Sequence, residues 1–195
     1  MLPRSLVPGR VREDERMARY VALLRGIGPL NPAMRNVNLR GVIEALGFTE
    51  VRTVISSGNV VFDGRAGRTT SLEAKLEAAW PEQLGFTSTT IVRTRDEIEA
   101  VIAANPFGDR EDTKASSFQV TFLKQEPEAL LEVPHTSERG DYEVLAIRDR
   151  AIYSVIDETG KTPDVMRLLE TTFGKAITTR SWKSVHRIAK AMATP

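Results

Sequence analysis

The chain has 195 residues, 27 basic against 26 acidic side chains, a net charge of +1 and 41% hydrophobic residues; this suits one large or two small domains and is too even for a dedicated nucleic-acid binder, while leaving room for a local basic pocket. The absence of cysteine excludes disulfides, thiolate metal sites, iron–sulfur clusters and cysteine nucleophiles, and His135 and His186 alone do not make a histidine-rich metal site, so no metal and no cofactor is expected. No apolar run approaches the ~18 residues of a membrane span, and residues 1–16 lack the apolar core of a signal peptide, so the expected protein is cytoplasmic with no membrane partner.

Residues 1–16 read as a flexible N-terminal extension, because periodic structure begins only after Met17. Residues 20–25 form a short apolar run, the form of a buried strand. Gly26, Gly28, Pro29 and Pro32 then make a loop. Leu39, Val42, Ile43 and Leu46 share one helical face, with Gly47 as a left-handed cap. Alternation in residues 51–55 and 59–62 predicts a hairpin turning through Ser56, Ser57, Gly58 and Asn59. Thr70 and Glu73 have capping-box spacing and open a helix bearing Leu72, Leu76, Ala79 and Trp80, which Pro81 kinks or ends. Residues 86–93 are β-branched and Thr-rich, a strand. The order β-α-β-β-α-β is the split βαβ pattern of ferredoxin-like folds.

Asp96 and Glu99 repeat the capping-box spacing before a linking helix with Ile98, Val101 and Ile102, which stops at Asn105-Pro106. Residues 108–116 read as a polar loop. Phe118, Val120 and Phe122 alternate in a strand, residues 127–131 predict a short helix, and residues 142–147 and 151–156 predict a hairpin. Thr162 as N-cap with Pro163 at the first helical position starts a helix that Gly174 stops. A brief strand at Ile177 and Thr178 precedes a last helix with Val185, Ile188, Ala189 and Met192 on one face. Ile98 and Val101 match Val185 and Ile188 at one offset (185 − 98 = 188 − 101 = 87), which also matches Arg93 with Arg180. The expected fold is α+β: a first ferredoxin-like half over 17–95, a linking helix and loop over 96–116, and a second half with a C-terminal helix over 117–195.

Three places invite a ligand. Thr178, Thr179, Arg180, Ser181 and Trp182 fall at the start of the last helix, where free N–H groups, hydroxyls and an arginine suit an anion and the indole offers a stacking face. The simpler reading is that Thr179 or Ser181 caps the helix, Trp182 packs inside and Arg180 pairs with a carboxylate. Arg25 and Gly26 end the first strand, where glycine permits close backbone approach, but neither a dinucleotide fingerprint nor a P-loop follows. Ser57 and Asn59 sit on the hairpin, where a tight turn wants the same residue types. His186 falls on the polar side of the last helix and His135 in a loop beside Pro134, so no triad is expected, and the strand at 59–63 lacks an RNA-platform signature.

The segments "YVALLRGI", "IEALGF", "VRTVISSGNVVF", "ANPF" and "TTRSWKSV" together resemble the domain-of-unknown-function family 1697, from Met17 nearly to the end. The resemblance implies a bacterial, cytoplasmic α+β protein with ferredoxin-like halves and no established activity. The chain departs from the family's glycine-rich "GINVGG" loop, reading "GIGPLNPAMRN", with Asn36 where a methionine is expected and Ser181 and Lys183 in place of asparagines. The leading expectation is therefore a small anionic, phosphate-bearing ligand held between the first-strand loop, the hairpin and the Thr178–Arg180 segment. An interaction module or homodimer without catalysis, and an enzyme with a substrate-assisted mechanism, stand as the alternatives.

Overall fold

In the computed structural model, which describes residues 16–28, 30–159 and 164–194, strand β1 (Met17–Leu24) sends successive side chains to opposite faces of a sheet. Tyr20, Ala22 and Leu24 enter one core and Val21 and Leu23 another. Around β1 are built α1 (Asn36–Ala45), β2 (Thr49–Thr53), β3 (Asn59–Arg65), α2 (Thr69–Leu84), β4 (Thr90–Thr94) and α3 (Arg95–Ala104). Strands β5 (Ser116–Leu123), β6 (His135–Thr136), β7 (Tyr142–Arg148) and β8 (Ala151–Asp157) follow, then α4 (Val165–Phe173), β9 (Ile177–Ser181) and α5 (Trp182–Ala193). The strands form two antiparallel sheets, ordered β2-β3-β1-β4 and β6-β7-β8-β5-β9. The fold class is thus mixed α+β, as expected.

Helices α1 and α2 bury Leu39, Val42, Ile43, Leu76, Ala79 and Trp80 against the outer face of the first sheet. Helix α4 covers the outer face of the second sheet with Val165 and Leu169. Between the sheets lie α3 and α5. Their Ile98, Val101, Val185, Ile188 and Met192 share one core with Val21 and Leu23 of β1 and with Phe118, Val120 and Phe122 of β5. Apolar burial of this kind stabilises by roughly 25 cal/mol per Å², and here both sheets draw it from the same two helices.

The sheets also share a register. Met17 pairs with Arg65 and Ser116 with Asp157; Val21 pairs with Arg93 and Val120 with Arg180; Thr53 pairs with Val60 and Ile147 with Ile152. One offset per strand carries each of these pairs onto its counterpart: 99 for β1 (116 − 17), 92 for β3 (157 − 65), 87 for β4 (180 − 93) and 94 for β2 (147 − 53). Even the irregularity recurs, between Thr49 and Arg52 in β2 and between Val144 and Ala146 in β7.

Several local expectations need correction. The capping box of α3 is Thr94 with Glu97, not Asp96 with Glu99, because the helix begins directly after β4. Helix α2 forms no box at all: Glu73 is buried and accepts from the Val92 N–H at 2.9 Å, serving the free edge of β4 instead. It also runs through Pro81 to Leu84, where Gly85 adopts the left-handed conformation and closes it. No helix forms over 127–131. Leu130 is 93% exposed there, so the segment buries no apolar stripe, and an irregular stretch with the short strand β6 stands where the first sheet has α1. Residues 1–15, Pro29, and the expected cap at Thr162 and Pro163 lie outside the described residues. Among those described, no helix is long and apolar enough to cross a membrane.

Candidate functional site

The segment 178–181 is strand rather than helix start, and this decides what its side chains do. Strand alternation sends Thr178 and Arg180 to one face and Thr179 to the other, where its hydroxyl lies 2.7 Å from that of Thr121. Ser181 becomes the N-cap of α5, accepting from the Ser184 N–H. Trp182 sits edge-on to Phe107 and His186, packed beside the central core.

Arg180 is 8% exposed, and it is closed off by its neighbours. Nε donates to Asn59 Oδ1 at 2.5 Å; Nη1 donates to Thr178 Oγ1 and the Thr179 carbonyl, both at 2.8 Å. Nη2 donates to the carbonyls of Leu24 at 2.8 Å and Gly58 at 3.3 Å. A guanidinium has five N–H donors, and these five bonds engage all of them. Burial pushes its pKa down to about 10. The expected grip of Arg180 on an external anion therefore has no donor left to work with. The carboxylate partner of the simpler reading is replaced by carbonyl and amide oxygens.

Asn59 is held in turn by donating to the Val54 carbonyl at 3.0 Å and to Ser57 Oγ at 2.9 Å. The turn beneath it needs glycine at 58. Its φ is +72°, and a Cβ there would lie 2.5 Å from a side-chain carbon of Ile27. Asn59, Thr178 and Arg180, with Ser57 behind Asn59, thus form a joint between the first and second sheets.

An equivalent joint runs in the opposite direction. Arg93, 1% exposed, donates through Nη2 to the carbonyls of Leu123 at 2.5 Å and Arg150 at 3.4 Å, and through Nη1 to Val92 at 3.0 Å. Its guanidinium lies 5.8 Å from the Phe122 ring centre. Burial, then the nearby Arg150, lowers its pKa to about 10. Leu24 and Leu123 end β1 and β5, while Gly58 and Arg150 immediately precede β3 and β8. Each sheet therefore inserts the arginine of its last strand into the same corner of the other, the reciprocity of an isologous interface.

Beside these joints lies a cleft of about 610 Å³, lined by Arg25, Gly26, Glu77, Thr87, Ser88 and Thr89 from the first sheet's segment and Lys124 and Ala176 from the second's. Arg25 and Lys124 each follow the first strand of their sheet, and their backbone N–H groups bond Thr89 and Ala176, both at 2.9 Å. Each cation reaches across to a glutamate on the other side. Arg25 pairs with Glu170 of α4 and donates to the carbonyls of Lys175 at 2.8 Å and Ile177 at 3.1 Å; Lys124 Nζ lies 2.5 Å from Glu77 of α2. Both side chains keep some exposure, 30% and 21%. Gly26, with φ +71°, and the exposed Thr87 rim the opening.

Of the candidate residues, Arg25 and Gly26 reach this cleft, Ser57, Asn59, Thr178 and Arg180 gather at the joint, and Thr179 and Trp182 point elsewhere. Sequence reading missed Lys124, Glu77 and Glu170, which carry no motif. The repeat that pairs Arg93 with Arg180 was the one signal within reach; β1 and β5 repeat at their own offset of 99, which sets Lys124 opposite Arg25 (25 + 99 = 124). A second cavity, of about 420 Å³, contains His135, Ser137 and Asp141, but Ser137 Oγ donates to Asp141 rather than to an imidazole, so no triad relay is assembled there. Among the described residues no group of acids and histidines is placed to hold a metal ion.

A family model described as a protein of unknown function, DUF1697, matches residues 17–153. No curated protein matches the chain. Among solved structures, the chain is similar to the conserved bacterial protein SP0830 from Streptococcus pneumoniae, with 23% identity and a TM-score of 0.71, covering 92% of this chain and 100% of that one.

Proposed function

The chain belongs to the DUF1697 family, and we propose that it binds a small anionic, phosphate-bearing ligand in the cleft between its two sheets. The observation that carries this reading is the convergence of two partly exposed cations, Arg25 and Lys124, from different sheets on one cleft that Thr87 and Thr89 also line. Arginine and lysine together supply directional and diffuse positive charge for a phosphate. The same reading takes the two sheets as tandem ferredoxin-like halves in a cytoplasmic protein, supported by the shared register and the reciprocal arginines; the second half lacks the first helix of the plan.

A thermal-shift screen of nucleotides and sugar phosphates tests the proposal. A ligand at 100 times its Kd stabilises by about 2.7 kcal/mol, which is a rise of several degrees for a chain of this size. The rise should disappear in Lys124→Ala and Arg25→Ala. A hit that stabilises both variants as much as the unsubstituted protein would remove the cleft from consideration.

A further inference from the structure

We infer that two copies of this chain associate through β2, the edge strands of their first sheets pairing antiparallel about a two-fold axis at Val51. The strand reads Thr49, Glu50, Val51, Arg52, Thr53, an order that complements itself when run backwards. An antiparallel second copy sets Thr53 against Thr49, Arg52 against Glu50 and Val51 against Val51. Threonine pairs, β-branched pairs and opposite charges stabilise a sheet as cross-strand neighbours, and like charges directly opposite destabilise it. An axis moved one residue on, to Arg52, would set two guanidiniums against each other, so charge selects the axis. The surface therefore fits a second copy of itself, the self-complementarity of an isologous interface.

The fold leaves this strand placed for such a partner. Among the described residues β2 pairs with β3 alone and ends its sheet. The opposite edge of the same sheet is closed: Thr90, Val92 and Thr94 of β4 donate to Glu77, Glu73 and Glu97 at 2.8, 2.9 and 2.8 Å. In the second sheet the counterpart of β2 is β7, whose outer edge takes the antiparallel strand β6 at Glu143 and Val144. Those residues correspond to Thr49 and Glu50 (143 − 94 = 49, 144 − 94 = 50). A bulge can turn an edge away from pairing, yet β7 carries the same irregularity as β2 and accepts β6 beside it.

The charged pair gives a further sign. Glu50 and Arg52 of one copy lie 3.8 Å apart on the strand, so two copies bring together four charges of alternating sign, a network rather than an isolated exposed pair. Glu50 holds φ +49° at the irregularity, a conformation that bulges of this kind ordinarily give to glycine, and a charged side chain kept there against backbone preference points to a use for it. Apolar surface adjoins the strand as well. Exposed Val37 follows Asn36, whose Nδ2 donates at 3.3 Å to the carbonyl of exposed Ile55, just beyond β2.

Light scattering on the full chain at rising concentration tests the inference. The unsubstituted protein should pass from monomer to dimer below about 1 mM, the weak end of specific association. Glu50→Arg and Arg52→Glu should each weaken the dimer at least ~10-fold, because each sets like charges opposite one another. An equimolar mixture of these two variants should regain association as a mixed dimer, since every cross-strand charge pair is then again arginine with glutamate. The double variant Glu50→Arg/Arg52→Glu should regain it alone. That recovery also shows that the single variants fold. A protein that stays monomeric throughout, a dimer that either single reversal leaves unweakened, or single variants whose mixture stays monomeric would each overturn the inference.

Discussion

At Arg180 the guanidinium meets five oxygens, two of them on the side chains of Asn59 and Thr178, whereas Arg93, in the same place in the other sheet, is held by three backbone carbonyls and the face of Phe122. The register explains the difference. The counterpart of Asn59 in β8 is Ala151 (59 + 92), which has no side-chain acceptor. In its stead, charge does part of the work: Glu97, Glu73 and Glu126 all act favourably on Arg93, and Arg150 beside it is paired with Glu97. A buried cation can be accommodated by complete hydrogen bonding or by nearby opposite charge, and this chain uses one solution in each joint.

The most direct way to break that comparison is truncation. Arg180→Ala should cost at least about 3 kcal/mol in urea unfolding, because it leaves several buried oxygens without a donor, at about 1–3 kcal/mol for each one left bare. Arg93→Ala should cost less, because fewer oxygens lose a donor; the reverse order would show that surrounding charge matters more than donor closure. Asn59→Ala should cost about 1–3 kcal/mol by leaving the Nε of a buried guanidinium unsatisfied. That cost should largely vanish in the Arg180→Ala background, which a double-mutant cycle reads directly. Glu77→Ala should cost about 1–3 kcal/mol, because Glu77 also accepts from the buried Thr90 N–H at 2.8 Å, whereas at the partly exposed rim Glu170→Ala should change stability by no more than about 1 kcal/mol, and by less in high salt.

Glu73 supplies a comparison in pH rather than in sequence. Its Oε2 is buried without a partner, and burial, the largest influence on it, raises its pKa. The folded protein then holds a proton that the unfolded chain releases. Stability is full below the ordinary glutamate range and falls as pH rises towards the raised value. Glu73→Gln should lack that slope, so its unfolding free energy should gain on that of the unsubstituted protein between acid and neutral pH. Parallel pH curves would mean that Glu73 ionises in the fold without penalty.

The apolar run of β1, the alternation in β5, the apolar faces of α1 and α5 and the hairpin of β7 and β8 were all legible in the sequence, because each depends on neighbours a few residues apart. The destination of Arg180 was not. Its acceptors Leu24 and Gly58 lie 156 and 122 residues away, and an arginine beside two threonines and a helix reads equally well as a grip on phosphate. Glu73 misled for a related reason: its spacing from Thr70 suits a helix cap, yet the edge of β4 competes for the same carboxylate and wins. Residues 127–131 look helical by composition, but helix formation needs an apolar stripe to bury, and Leu130 finds none.

The central layer has a consequence for how the chain would respond to a cut. Helix α3 belongs by sequence to the first sheet and α5 to the second, yet each packs on both. A protease that nicks the exposed stretch at residues 108–111 would sever the peptide link between the two segments while leaving the shared layer and both arginine joints untouched. The expected product is a nicked protein whose two fragments co-elute and unfold together, since neither fragment leaves without laying bare its side of that layer.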